Sequence, residues 1–137
     1  ATLDPDPGEQ IDCTFTNSKL SAITVTKTAN GGDEIFDFTT TSTNVTRDGN
    51  FTGNAGFAIN TSVDNNVIFT GLSPDVTYTI TELSESGWAF NSLICTGGTT
   101  VTSIVGRTAT LDPDPGEQID STYTNTKFLP CMRWLQE

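Results

Sequence analysis

Residues 1–12, ATLDPDPGEQID, recur letter for letter at 109–120, and the likeness runs on as CTFTNSK (13–19) against STYTNTK (121–127). An identical dodecamer in a chain of 137 residues is an internal repeat, with a period of 108 residues. A period of that size is one β-sandwich domain, and the chain is long enough for one such core and too short for two. The repeat therefore frames a single domain over 20–127. It is preceded by an N-terminal arm, 1–19, that copies the domain's own last segment, and followed by a tail, 128–137, of different composition (FLPCMRWLQE).

Between the two copies the sequence alternates as strands do. Runs at 22–27 (AITVTK), 34–40 (EIFDFTT), 56–60, 66–69, 76–82 (VTYTITE), 88–95, 101–111 and 118–126 are separated by turn signals. These include Asn30-Gly31-Gly32, Asp48-Gly49, Gly71-Leu72-Ser73-Pro74, Ser86-Gly87 and Gly97-Gly98. No segment has sustained helical periodicity. The pattern predicts an all-β fold, an Ig-like or prealbumin-like β-sandwich of seven to eight strands, with the N-terminal arm as an extra strand.

Charge narrows the function. Seventeen Asp and Glu against six Lys and Arg give a net charge of −11, with no histidine. Phosphate binding needs clustered cations, so nucleic acid and anionic membrane surfaces are excluded as partners. The lack of histidine removes nucleophile–His catalysis, and short loops leave little room for a substrate cleft. The expectation is a non-enzyme that needs no cofactor. The acidic turns at 4–9 and 112–117 (DPDPGE) lack the spacing of a calcium loop and read as rigid turns. Sequons at Asn44, Asn50 and Asn60 are candidate glycosylation sites of an extracellular or cell-surface chain.

Strand alternation assigns faces. Ile23, Val25 and Lys27 share one face; Val76, Tyr78, Ile80 and Glu82 another; Ile119, Ser121, Tyr123 and Asn125 a third. A Lys, a Glu and an Asn thus extend otherwise apolar rows. Burial disfavours charge on an amine or a carboxyl. A neutral lysine can then attack an asparagine amide polarised by a protonated carboxyl, giving an isopeptide bond with loss of ammonia. Lys27, Glu82 and Asn125 are the candidates. The alternative is a rim ion pair between Lys27 and Glu82, with Asn125 capping a strand.

Three cysteines leave one odd thiol. Leu93 and Cys95 share a face, as do Ile11, Cys13 and Phe15, and Ser121 stands where the second copy would have its cysteine. Cys13 and Cys95 are therefore the disulfide candidates. Either the arm is the last strand of a preceding domain in an array, or it adds to a neighbouring subunit's sheet and Cys13 bonds to that subunit's Cys95.

The segments SAITVTKTA (21–29), FTGLSPDVTYTITEL (69–83), SGW (86–88), LICTGGTTV (93–101) and the closing CTFTNSK or STYTNTK resemble the prealbumin-like, or Cna-B/SpaA-like, domains of prokaryotic surface proteins, over 20–127. The resemblance implies a repeated stalk or pilus-like module on an exported protein. In cross-linked Cna-B domains the Lys lies on the first strand, the Glu ends a Y-x-x-x-E strand and the Asn lies on the last strand. Lys27, Glu82 and Asn125 hold the matching positions, although the segment after the first strand, KTANGGDEIFDF, departs from the usual pattern. In Thr-rich, Cys-bearing relatives a cysteine like Cys95 pairs with that of the CTFTN strand. Ser121 breaks this pairing within the domain and points to Cys13. The implied function is a structural subunit of an extracellular fibre, pilus or stalk. Its partners are copies of itself in a homopolymer or tandem array, joined head-to-tail by strand donation and covalent links. The alternative is an adhesin-type module for a glycan or host protein, for which Phe51, Trp88 and Trp134 are the available loop aromatics.

Overall fold

The structure is a computed structural model that describes residues 2–40, 46–47, 56–74, 76–99 and 101–129. Threonine- and valine-rich alternation produces ten strands and no helix among these residues: β1 Ser21–Asn30, β2 Ile35–Thr40, β3 Thr46–Arg47, β4 Phe57–Asn60, β5 Asn66–Leu72, β6 Tyr78–Glu82, β7 Trp88–Thr96, β8 Val101–Val105, β9 Thr108–Leu111 and β10 Gln118–Lys127. They form two five-stranded sheets, ordered β3-β5-β1-β10-β7 and β4-β2-β6-β9-β8. The all-β sandwich expected from the sequence is what the chain forms.

The first and last strands lie side by side in parallel, Ile23 opposite Ile119 and Lys27 opposite Tyr123. Parallel neighbours need a long crossover, which the whole domain supplies. Along β1 the burial alternates as the sequence requires, with Ile23, Val25 and Lys27 inward; along β10 the inward set is Ile119, Ser121, Tyr123 and Asn125. Facing them from the other sheet are Phe36, Phe38, Ile59, Tyr78, Ile80, Ala109 and Leu111. The core is strongly aromatic: Phe38 stacks on Phe57 at 4.9 Å and meets Tyr123 edge-on at 5.1 Å. Such pairs add specificity beyond the burial of their area.

The sequence reading differs from this architecture in three places. The run 101–111 is a hairpin, not one strand: β8 and β9 fold back through Gly106, whose φ of +57° suits a residue without a Cβ. Val76 does not continue the row of Tyr78, Ile80 and Glu82; it is 44% exposed and precedes β6, because the strand begins only at Tyr78. Finally, residues 2–20 form no strand within the chain and are exposed throughout. The position beside β1 that the arm's sequence fits is filled by its copy, β10. Most of the tail (130–137) lies outside the described residues.

Candidate functional site

The three singled-out polar side chains meet in the sandwich interior. Lys27 and Asn125 come from the adjacent parallel strands β1 and β10. Asn125 is opposite Ala29, so it lies two residues along from Tyr123, the residue opposite Lys27. Both point inward because each continues an apolar row at period two. Glu82, the last residue of β6, reaches across from the other sheet. Relative exposures are 1% for Lys27, 1% for Glu82 and 0% for Asn125.

Glu82 is the hub. Its Oε2 lies 3.0 Å from Lys27 Nζ, and its Oε1 accepts from Asn125 Nδ2 at 2.6 Å. Lys27 also donates to the Tyr123 carbonyl at 3.2 Å, and its Nζ lies 4.3 Å from the centroid of the Phe36 ring. Burial strips hydration from the ammonium and pulls the Lys27 pKa below its ordinary value. The hydrogen bond and charge of Glu82 oppose that shift, and the charge of Arg107 adds to it. Asn125 Oδ1 is buried and has no hydrogen-bond partner among the described residues. An unpaired buried carbonyl costs about 1–3 kcal/mol, so this amide is held at a stability cost. Turning the amide over would place Oδ1 against Glu82 Oε1, where a protonated carboxyl would donate to it.

A fourth member was not legible in the sequence. Arg107, in the β8–β9 turn, donates to Glu82 Oε1 at 3.0 Å with its side chain 27% exposed. Its guanidinium also lies 5.0 Å from the Phe90 ring centroid, and the Arg107 carbonyl accepts from Glu82 N at 3.1 Å. The signal for it was the glycine at 106: reading that residue as a turn puts its neighbour Arg107 at the end of β6's partner strand, beside Glu82.

The cysteine candidates are not bonded to each other within the chain; Cys13 is exposed and Cys95 half-buried. Cys95 is opposite Ser121 in the β7–β10 pair, Sγ to Oγ 3.2 Å, so Ser121 stands where a partner thiol would be. Burial pushes the Cys95 thiol up, against the pull of the Ser121 hydrogen bond. Of the sequons, Asn60 lies at the end of β4, with its Oδ1 accepting from Ser62 N and Ser62 Oγ at 3.1 and 2.7 Å. Asn44, Asn50 and Cys131 lie outside the described residues, as do Phe51 and Trp134. Trp88 is not a loop aromatic: it is 4% exposed and packs edge-on against Phe36 at 5.2 Å. The two acidic segments close on themselves in the same way. Glu9 N donates to Asp6 O and Glu117 N to Asp114 O, both at 3.0 Å, while the Glu9 and Glu117 carboxylates accept from Asp6 N and Asp114 N.

A two-sheet fold with first and last strands parallel and adjacent, and a Lys–Glu–Asn cluster between the sheets, defines a class. The family model described as a prealbumin-like fold domain, of SpaA type, matches residues 23–127. The chain belongs to that family. No curated protein sequence matches it. Among solved structures, it is similar to the major pilin T-13 from Streptococcus pyogenes at 15% identity and a TM-score of 0.59, covering 80% of this chain and 45% of that one. It is also similar to another structure of the major pilin from Streptococcus pyogenes, at 16% identity and a TM-score of 0.55, covering 81% of this chain and 49% of that one. The chain thus spans about half the length of these pilins, and the likeness is one of fold.

Proposed function

We propose that the chain is a structural module of an extracellular, pilus-type or stalk-type polymer, stiffened by a bond it forms within itself between Lys27 and Asn125. The observation that carries this reading is the burial of Lys27, Glu82 and Asn125 in one hydrogen-bonded cluster that ties the first strand to the last. Lys27 gives a proton to the Glu82 carboxylate, leaving a neutral amine. Glu82, now an acid, polarises the Asn125 carbonyl. The Lys27 nitrogen attacks Cγ, the new C–N bond forms and the old one breaks. Glu82 relays the second amine proton to the departing nitrogen, which leaves as ammonia. The cluster is consumed in a single turnover, so the product is a cross-linked domain and not a catalyst.

The fold of the two pilins supports placing the module in an assembly of its own kind outside the cell, and the strand repeat supports head-to-tail joining. For the adhesin alternative, a groove lined by Asp33, Glu34, Ile35, Asn60 and Ser62 contains no aromatic ring on which a sugar would stack. Intact mass under denaturing, reducing conditions tests the bond. A deficit of about 17 Da, the ammonia lost when an amine displaces an amide nitrogen, is expected. It should disappear in Lys27→Met and in Asn125→Ala. Full mass in the unsubstituted chain would refute the cross-link.

A further inference from the structure

We propose that the N-terminal arm is a replacement for β10 that enters only a second copy of this chain, where Cys13 faces that copy's Cys95 and Asn17 enters its Lys27–Glu82 pocket. The inference rests on the module reading above and adds to it the site, the register and the partner.

The arm carries what the slot requires. Gln10–Lys19 differs from Gln118–Lys127 only where Cys13 replaces Ser121, Phe15 replaces Tyr123 and Ser18 replaces Thr126. The inward set Ile119, Ser121, Tyr123, Asn125 becomes Ile11, Cys13, Phe15, Asn17. These arm residues have no strand partner among the described residues of their own chain, and Ile11 and Phe15 are 40% and 81% exposed. The acidic turn ahead of the arm strand already holds the hydrogen bonds of the turn ahead of β10.

Each substitution has a defined consequence. Ser121 Oγ lies 3.2 Å from Cys95 Sγ, so a strand in the same register brings a thiol to a thiol. Tyr123 Oη donates to the Ile80 carbonyl at 2.8 Å within the core. Phe15 cannot, so the arm is the weaker occupant until a covalent bond fixes it. Asn17 keeps the carboxamide that Lys27 attacks.

Connectivity forbids the arm from doing this in its own chain. β10 runs parallel to β1, with Ala22 opposite Gln118 and Asn30 opposite Thr126. An arm in that register would end with Lys19 beyond the Asn30 end of β1. Only Leu20 then links it to Ser21 at the other end, roughly 30 Å away at about 3.3 Å per strand residue, and two peptide steps span at most about 7 Å. β10 itself reaches the slot because the whole domain serves as its crossover. Occupancy by the arm is therefore intermolecular, and both bonds it makes join two chains. Exchange of one strand for its equivalent needs no new interface, which makes swapping accessible.

The chemistry balances. The Cys13 and Cys95 thiols form a disulfide by giving two electrons and two protons to an added disulfide such as oxidised glutathione, which leaves as two thiols. The Lys27 amine displaces ammonia from Asn17 as it does from Asn125. A Lys27–Asn125 bond made first anchors β10 and closes the slot, so the two outcomes compete.

The test mixes light and heavy-nitrogen-labelled chains, all with Cys131→Ser, and oxidises them with glutathione disulfide. Two variants keep β10 free to leave: Asn125→Ala and Lys27→Met. Peptide mapping should find Cys13–Cys95 linkages with one light and one heavy half in both. A reductant-resistant light–heavy Lys27–Asn17 linkage should form in Asn125→Ala alone. Linkages only within one label, or a Cys13 that alkylates completely in both oxidised variants, would overturn the exchange. A mixed disulfide without the Lys27–Asn17 bond, in a protein whose unsubstituted form shows the ammonia loss, would overturn the placement of Asn17. Full mass in the unsubstituted chain sinks the isopeptide reading instead, and the mixed disulfide still decides the exchange.

Discussion

Lys27 Nζ and Glu82 Oε2 lie 3.0 Å apart with both side chains fully inside the sandwich. A buried pair of this kind gives little net stability, because each group surrenders its hydration to join the other. Removing one partner is costly, since it leaves a charge without compensation. In the proposed cross-linking its use is chemical: the carboxyl that would take the lysine's proton is the one that would polarise the Asn125 amide.

Replacing Glu82 by alanine separates those two consequences. The variant should keep full mass, without loss of ammonia, because no group remains to shuttle the proton. It should also unfold more easily by about 3–5 kcal/mol, the cost of breaking a buried pair. Denaturant titration of Glu82→Ala against Asn125→Ala, which also lacks the cross-link, isolates the ion pair from the bond.

The burial of Lys27 predicts a pH dependence in the uncross-linked Asn125→Ala chain. The folded state holds Lys27 below its ordinary value of 10.5. Between that lowered value and 10.5 the unfolded chain binds more protons, so stability rises with pH across this window. It is lost as pH falls through the folded value. Cys95, Tyr78 and Tyr123 are shifted up by burial and work in the opposite sense. Comparing Tm with the Asn125→Ala, Lys27→Met double variant cancels those shared contributions. The lysine chain should gain on the methionine chain as pH rises toward 10.5; a difference that stays flat would show that Lys27 is not desolvated.

Tyr123→Phe should cost about 0.5–1.5 kcal/mol, the net worth of the hydroxyl's hydrogen bond to the Ile80 carbonyl. The apolar ring and its edge-on contact with Phe38 remain. The thermal midpoint should fall while the ammonia loss is retained, since Asn125 and Lys27 keep their places. Loss of the cross-link in this variant would mean that the hydroxyl positions β10 and not merely its stability.

The face assignments of Lys27, Glu82 and Asn125 were legible because strand alternation is a local property. Each residue continues an apolar row, and the row alone says that it points inward. What alternation cannot register is where a run folds back. In the run 101–111 only Thr108–Leu111 alternates cleanly; Thr102-Ser103 and Ile104-Val105 break the period, and Gly106 marks the hairpin. Arg107 was missed with it, because its contact with Glu82 exists only once β9 is brought beside β6. Trp88 was taken for a loop aromatic for a related reason: its position next to Ser86-Gly87 looks exposed in sequence, and only the opposing sheet supplies Phe36 to cover it. The arm shows the converse limit. Its sequence specifies a strand and a register, yet in a single chain the copy with the longer connection occupies the place.

Ser121→Cys converts the opposition of Cys95 and Ser121 into a chemical test of register. The two residues are opposed across β7 and β10, with side-chain tips 3.2 Å apart and a sequence separation of 26. In a chain that also carries Cys131→Ser, mild oxidation should form a disulfide within one chain, leaving Cys13 as the thiol that alkylates. Closing a loop of this size should stabilise the domain by about 2–4 kcal/mol. The bond also fastens β10 to its own sheet, so linkage of Cys13 to Cys95 of another copy should disappear. Peptide mapping reads the pairing directly. If Cys95 instead remained free while Cys13 and the new cysteine reacted alike, the β7–β10 register would be other than Cys95 opposite Ser121, and both the site geometry and the strand exchange would lose their basis.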